Sequence, residues 1–323
     1  MNTYPLEKYL PGVSTLSYGC MGLGGGWNDS TFGQQEIKQA HEIVDICLEN
    51  KINFFDHADI YTRGKAEQVF GEVLKARPQL RESIYLQSKC AIRFEDEHAP
   101  GRYDFSADWI GQSVDGILRR LNTDYIDVLL LHRPDPLMEP EEVARTFDYL
   151  KASGKVRHFG VSNMNAQHMA FLQAHLDMPL VVNQIEISLA QLGWLDEVVM
   201  AGNPDGKDLN FSTGTMEYCR LNEVQIQSWS SLCKGLFSGK DTSAEPAHIQ
   251  RTAELVTKLA GEYQTSREAI VLAFLLRYPG KIQPVIGTTN AERIKASCMA
   301  TDVTLSREHW YSLYVSARGQ ALP

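Results

Sequence analysis

With 323 residues, 43% of them apolar and 22% charged, the chain has the composition of an ordinary folded protein with a sizeable core, which excludes a disordered or collagen-like chain. Its 31 basic residues are outnumbered by 40 acidic ones, and the net charge of -9 argues against nucleic acid or an anionic membrane as the main partner. The opening MNTYPLEKYLPGVS has neither a basic nor an apolar leader segment, no apolar run approaches membrane-span length, and the six scattered cysteines form no CxxC pair, so free thiols in a reducing cytoplasm are expected.

In chain order, the first apolar run spans residues 16–24 (LSYGCMGLG), and after it Ile37, Ala40, Val44, Cys47 and Leu48 recur at helical spacing, with Asn50 as the stop. Runs at 53–61 (NFFDHADIY) and 83–90 (SIYLQSKC) follow. Ser106 then stands where it can cap a helix whose Ile110, Val114, Ile117, Leu118 and Leu121 form one stripe. The run 125–132 (YIDVLLLH) precedes a stripe of Val143, Phe147 and Leu150, after which come 156–163 (VRHFGVSN) and 181–188 (VVNQIEIS). Residues 189–223 are too long for a plain connector and predict a functional loop or a small helix. The run 224–231 (VQIQSWSS), a helix through Ile270, Ala273, Phe274 and Arg277 that stops at Pro279, and the run 282–289 (IQPVIGTT) complete the series.

Near-continuous apolar runs of this kind suit strands buried on both faces. Eight of them alternating with helices predict an α/β protein, a (β/α)8 TIM barrel occupying residues 1–323 as a single domain. An open dinucleotide-binding sheet would carry GxGxxG after its first strand, but reading from Gly22 in MGLGGGW puts Trp27 where the last glycine belongs.

In such a barrel, chemistry gathers at the carboxyl ends of the strands. Asp56 and Tyr61 close the second run, Lys89 the third and His132 the fourth. Neighbouring strands lie about 5 Å apart, so these ends span roughly 10 Å and long side chains can meet. A lysine ammonium about 4 Å from a phenol supplies about 4 kcal/mol at an effective dielectric of about 20, so Lys89 is expected to bring the Tyr61 pKa down towards neutrality. Asp56 would pair with Lys89, and His132 would hydrogen-bond the substrate oxygen. Each residue alone reads as well as a solvated strand-end charge; their coincidence on three consecutive ends suggests proton transfer. His57 and Asp59 in DHAD could be taken for metal ligands, but companion ligands at strand ends are missing, so no metal is expected. HRPD does not have the spacing of a kinase loop.

In order, DHADIY, SK, LLLHRPD, GVSN and NQIEIS resemble the aldo-keto reductases, and the likeness runs over residues 16–299. The resemblance implies a barrel that reduces an aldehyde or ketone with NADPH, less often NADH. It assigns Tyr61 as general acid, Lys89 and His132 as its supports and Asp56 as the partner of Lys89. It further implies carboxamide contacts at Ser162, Asn163 and Gln184, and a nicotinamide-stacking face at Trp229, where relatives usually have tyrosine. Pyrophosphate contacts are implied at Ser230, Leu232 and Lys234, and an adenosine 2′-phosphate site at Gly287, Thr288, Thr289 and Arg293. Many relatives have lysine at the position of Gly287, and Ser162, Asn163 and Thr288 also fit plain turn or cap roles. Loop position makes Trp27, residues 93–105, and Trp194 and Phe211 of the long stretch the expected lining of the substrate pocket. Some relatives with this fold are nucleotide-binding regulatory subunits of membrane channels, a second function the same residues would fit.

Overall fold

The computed structural model describes residues 4–323. The chain order runs β1 (Ser17–Gly19), α1 (Gln34–Glu49), β2 (Phe54–Asp56), α2 (Lys65–Ala76) and β3 (Tyr85–Cys90), then a small hairpin of β4 (Ile92–Arg93) and β5 (Arg102–Tyr103). It continues through α3 (Ala107–Leu121), β6 (Ile126–Leu131), α4 (Pro140–Ala152), β7 (Val156–Ser162), α5 (Ala166–Gln173) and β8 (Leu180–Glu186). Two short helices, α6 (Gly193–Val199) and α7 (Thr215–Leu221), lead to β9 (Gln225–Trp229), α8 (Ala247–Glu262), α9 (Arg267–Leu276), β10 (Gln283–Ile286), α10 (Ala291–Cys298) and α11 (Arg307–Arg318). Apart from β4 and β5, the strands are parallel and close into a barrel, because β1 pairs with β2 on one side and β10 on the other.

Seven of the barrel strands lie inside the apolar runs and β8 begins one residue ahead of its run; β1, β2 and β10 end three or more residues before their runs do, where the chain leaves the ladder and turns into loops. The helix signals hold in detail. Asn50 follows the last turn of α1, the Ser106 hydroxyl accepts from the Trp109 N–H at the head of α3, and α9 ends three residues before Pro279.

Side chains on a strand alternate between the two faces of the sheet. Phe55, Leu86, Leu129, Leu131, Val161 and Ile185 therefore join the main core beneath the helices, whereas Phe54, Val128, Leu130 and Val182 fill the amino-terminal half of the bore. Leu6 and Leu10 of the entering segment close that end. Above this apolar floor lies a layer of amides. Gln87 Nε2 donates to Asp56 Oδ1 (2.6 Å) and Gln227 Oε1 (2.8 Å), Gln184 Nε2 also donates to Gln227 Oε1 (2.9 Å), and Gln227 Nε2 donates to Gln283 Oε1 (2.8 Å). Each of these amides finds a hydrogen-bond partner across the bore, while Gln87 Oε1 is buried without one among the described residues.

Helices α8 and α11 lie outside the sequence-based expectation. They share a Thr252–Ser316 hydroxyl contact (2.8 Å), and Trp310 of α11 stacks on Phe274 of α9 with ring centroids 5.0 Å apart. The long stretch 189–223 is tied down by α11, since Asp196 accepts from Tyr314 Oη (2.5 Å) and Arg318 Nε (2.9 Å). Among the described residues no helix is long and apolar enough to cross a membrane.

Candidate active site

Asp56, Lys89, Ser162, Gln184 and Trp229 occupy the carboxyl ends of five strands, all on the inward-pointing set, and His132 directly follows a sixth. Lys89 is fully buried, and its ammonium donates to Asp56 Oδ2 (2.8 Å), the His57 carbonyl (2.9 Å) and Tyr61 Oη (2.9 Å). Three donors meet three acceptors, so the charge is both neutralised and aimed. Tyr61 reaches Lys89 from a turn in which Thr62 (φ 47°), Arg63 (φ 60°) and Gly64 (φ 84°) are successively left-handed. Two of these carry side chains, at about 1–2 kcal/mol each. Thr62 Oγ1 holds the turn by donating to the Leu23 carbonyl (3.0 Å).

Burial sets the protonation states. It pushes the Tyr61 phenol above its ordinary value and outweighs the pull of Lys89 in the other direction, so the expected lowering is corrected: desolvation exceeds the Coulomb attraction, and the phenol stays protonated. Burial lowers Lys89, but attraction to Asp56 and Tyr61 more than reverses it, leaving a firmly charged ammonium. His132 is held well below the usual histidine range by burial, with Lys89 and Arg133 adding to the effect, and is neutral. Its ring stands edge-on to Tyr61, centroids 6.1 Å apart, and its Nδ1 is buried without a partner among the described residues.

These groups open into a cavity of about 630 Å³, a size common for cofactor and ligand sites. One side carries Tyr61, His132, Met21, Trp27, Ile60 and Ile92; the other carries Ser162, Asn163, Gln184, Trp229, Ser230, Leu232, Lys234, Gly287, Thr288 and Arg293. The Trp229 indole N–H donates to Asn163 Oδ1 (3.0 Å), while Asn163 Nδ2 donates to Ser162 Oγ (2.8 Å) and the His132 carbonyl (3.2 Å), which links the two sides. Trp27 sits on a loop anchored by Lys65, whose ammonium donates to Asn28 O, Asn28 Oδ1 and Ser30 O at 2.9–3.0 Å. Gly24 lets this loop approach α2: its φ is +77°, and a Cβ there would stand 2.6 Å from the Lys65 carbonyl carbon.

A dinucleotide fits the second side on two counts. Trp229 offers an aromatic face, and at the far end Lys234 and Arg293 line the cavity; neither they nor Arg267, which stands near Arg293 across Gly239, have a carboxylate partner among the described residues. Arg267 and Arg293 flank Gly239, with guanidinium nitrogens 3.4 and 3.9 Å from the position of its absent Cβ. Arg267 escaped the sequence reading because it lies at the head of α9, outside the strand-end motifs.

Four expectations about the lining need correction. Trp194 does not line the pocket: it is 1% exposed and packs edge-on against Tyr278 (5.0 Å) and Phe274 (6.4 Å), because α6 turns its apolar face to the core. Phe211 likewise packs against the core rather than the cavity, and the 93–105 segment contributes no lining residue, Ile92 at its foot doing so instead. Thr289 faces a separate, smaller recess beside Gln35 and Lys38 of α1. Arg133, quoted in HRPD but given no role, lines the main cavity; its place one residue past a strand-end histidine was the available signal.

Fold and cavity define a (β/α)8 barrel whose strand ends hold a buried Asp56–Lys89–Tyr61 cluster beside a cavity of cofactor size. Residues 15–314 match the model of the Aldo/keto reductase family, and the chain belongs to that family. A 6-dehydroglucose reductase of Agrobacterium fabrum is 37% identical over 86% of this chain and 87% of its own length. An uncharacterized oxidoreductase of Bacillus subtilis, YcsN, is 35% identical over 87% of this chain and 89% of its own. Among solved structures, the thermostable aldo-keto reductase Tm1743 in complex with epalrestat superposes with a TM-score of 0.73, covering 94% of this chain and 95% of that one at 21% identity, a likeness of fold.

Proposed function

We propose that the protein reduces an aldehyde or ketone to an alcohol with NADPH, Tyr61 delivering the proton. The observation that carries this reading is the 2.9 Å contact between Lys89 Nζ and Tyr61 Oη. An ammonium can only donate, so Tyr61 Oη accepts there and its own hydrogen is left for the cavity. As negative charge grows on the substrate oxygen, Tyr61 transfers that hydrogen, and the fixed Lys89 charge stabilises the phenolate left behind. Asp56 and Gln87 hold Lys89 in register throughout. His132, neutral and with Nδ1 buried without a partner, would carry its hydrogen on Nε2 and offer a hydrogen bond, not a proton, to the same substrate oxygen.

NADPH supplies the hydride when bound. Trp229 would carry the nicotinamide face, and Gln184, whose amide N–H is committed to Gln227, keeps Oε1 for a carboxamide. Ser162 and Asn163 brace that position, Ser230 and Leu232 would run beside the pyrophosphate, and Lys234, Arg267 and Arg293 with Gly287 and Thr288 would meet the phosphates of NADPH in preference to NADH. Six free cysteines suit a reducing cytoplasm.

The test is loss of nicotinamide absorbance, followed separately with NADPH and NADH against aldehydes, ketones and sugar-derived aldehydes, the last suggested by the Agrobacterium relative. Equimolar alcohol formed faster with NADPH is expected. Tight NADPH binding with no turnover across the panel would overturn the reading and favour a nucleotide-binding regulatory subunit.

A further inference from the structure

Resting on the reductase reading above, we infer that Arg133 forms an anion subsite, and that the carbonyl substrates this protein prefers carry a carboxylate at their non-reacting end. Arg133 follows His132 beyond the end of β6, is half-buried, and lines the cavity with its guanidinium carbon 5.7 Å from the Trp229 ring centre. Among the described residues it has neither an ion pair nor a hydrogen bond. That sets it apart from the other partly buried arginines. Arg81 pairs with Asp127 (2.7 Å), Arg93 with Asp104 (2.7 Å), Arg120 with Glu67 (2.7 Å) and Arg318 with Asp196 (2.9 Å).

The acids near Arg133 are committed elsewhere. Asp56 is held by Lys89 and Gln87. Asp135, two residues on, accepts from the Phe105 and Leu137 N–H groups, both at 2.9 Å. Glu268, the other acid in the cavity wall, stands in the first turn of α9 beside Arg267, at the end assigned to the cofactor phosphates. Of the remaining residues opposite the cofactor face, Met21, Trp27, Ile60 and Ile92 carry no charge, and Tyr61 and His132 are held neutral by burial. A guanidinium left unpaired in a mostly apolar cavity is costly to desolvate unless an anion arrives, and its planar fork matches a carboxylate. Pro134 behind it restricts the backbone, so less freedom is lost on binding.

Two measurements test the subsite. Succinate, which cannot be reduced, is titrated by calorimetry into the NADP-loaded protein and into its Arg133→Met and Arg133→Lys variants, with melting temperatures confirming the fold. Wild type should bind it, Arg133→Met at least tenfold more weakly, and Arg133→Lys in between. In parallel, the ratio of kcat/KM for 4-oxobutanoate to that for its methyl ester should exceed ten in wild type, through KM, and fall towards one in Arg133→Met. Absent succinate binding, or a ratio that survives the substitution, overturns the subsite even if neutral aldehydes are reduced. An Arg133→Met protein that loses NADPH affinity while the ratio stays put would assign the arginine to the cofactor and refute it equally. If succinate binds through Arg133 but no carbonyl is reduced, the subsite stands and the reductase reading fails.

Discussion

Replacing Lys89 with methionine separates the two tasks of this residue. At 2.9 Å from the Tyr61 oxygen, and at an effective dielectric of about 20, the ammonium stabilises a phenolate by about 6 kcal/mol. Part of that is realised in the transition state, and kcat should fall about 10²- to 10⁴-fold. Alcohol oxidation, which needs the phenolate, should reach its half-maximum at a higher pH, because the charge that opposes the burial of Tyr61 is gone. Asp56, 1% exposed, is simultaneously left without its counter-ion, at about 3–5 kcal/mol of stability. Adding Asp56→Asn removes the orphaned charge and retains an acceptor for the Gln87 amide, so the double variant should recover most of the stability and none of the activity. Urea unfolding followed by tryptophan fluorescence reads the first quantity and nicotinamide absorbance the second. A single variant as stable as wild type, or a double variant that regains turnover, would refute the account of this pair.

Other consequences are equally open to measurement. Burial beside Glu67, opposed by Arg120, lifts the Asp59 carboxyl to about 7, whereas an unfolded aspartate titrates near 4. Between those values the folded state holds the extra proton, so the stability this group contributes is present below about pH 4 and is lost as pH rises to 7; Asp59→Asn should gain on wild type over that window, by at most about 4 kcal/mol, in urea melts. A constant gap between the two would contradict it. Arg267→Leu should weaken NADPH about tenfold and NADH less than twofold in fluorescence titrations, while equal losses would place the arginine away from the 2′-phosphate. Gly71→Ala puts a Cβ 2.0 Å from the Arg120 carbonyl where α2 crosses α3, and should lower stability by about 3 kcal/mol with little change in KM.

How much of this was legible in the sequence follows from the range over which each signal acts. Strand positions and the convergence of Asp56, Lys89 and His132 come from local apolar runs and a two-residue period, and the barrel brings their ends together. The amide layer was not legible, since Gln87 and Gln227 lie 140 positions apart and read in their runs as isolated polar interruptions. Trp194 was misjudged because its burial depends on α9 and on Tyr278, some 80 residues downstream, rather than on its own loop. The Tyr61 correction has a similar origin: the attraction from Lys89 follows from neighbouring strand ends, but the larger effect of desolvation depends on everything packed around the phenol. Arg133 showed itself as a site residue only once the other partly buried arginines had been seen to have acids beside them.

The most direct test of the central claim is single-turnover reduction by a Tyr61→Phe variant loaded with NADPH. The ring and its packing survive, and only the hydroxyl that faces Lys89 and the cavity is removed. NADPH affinity should stay within about twofold of wild type while the rate of hydride transfer drops about 10³-fold or more. A Tyr61→Phe protein that still reduces its best substrate at a rate near wild type would show that the proton comes from elsewhere, and the assignment of Tyr61 as the acid would be wrong.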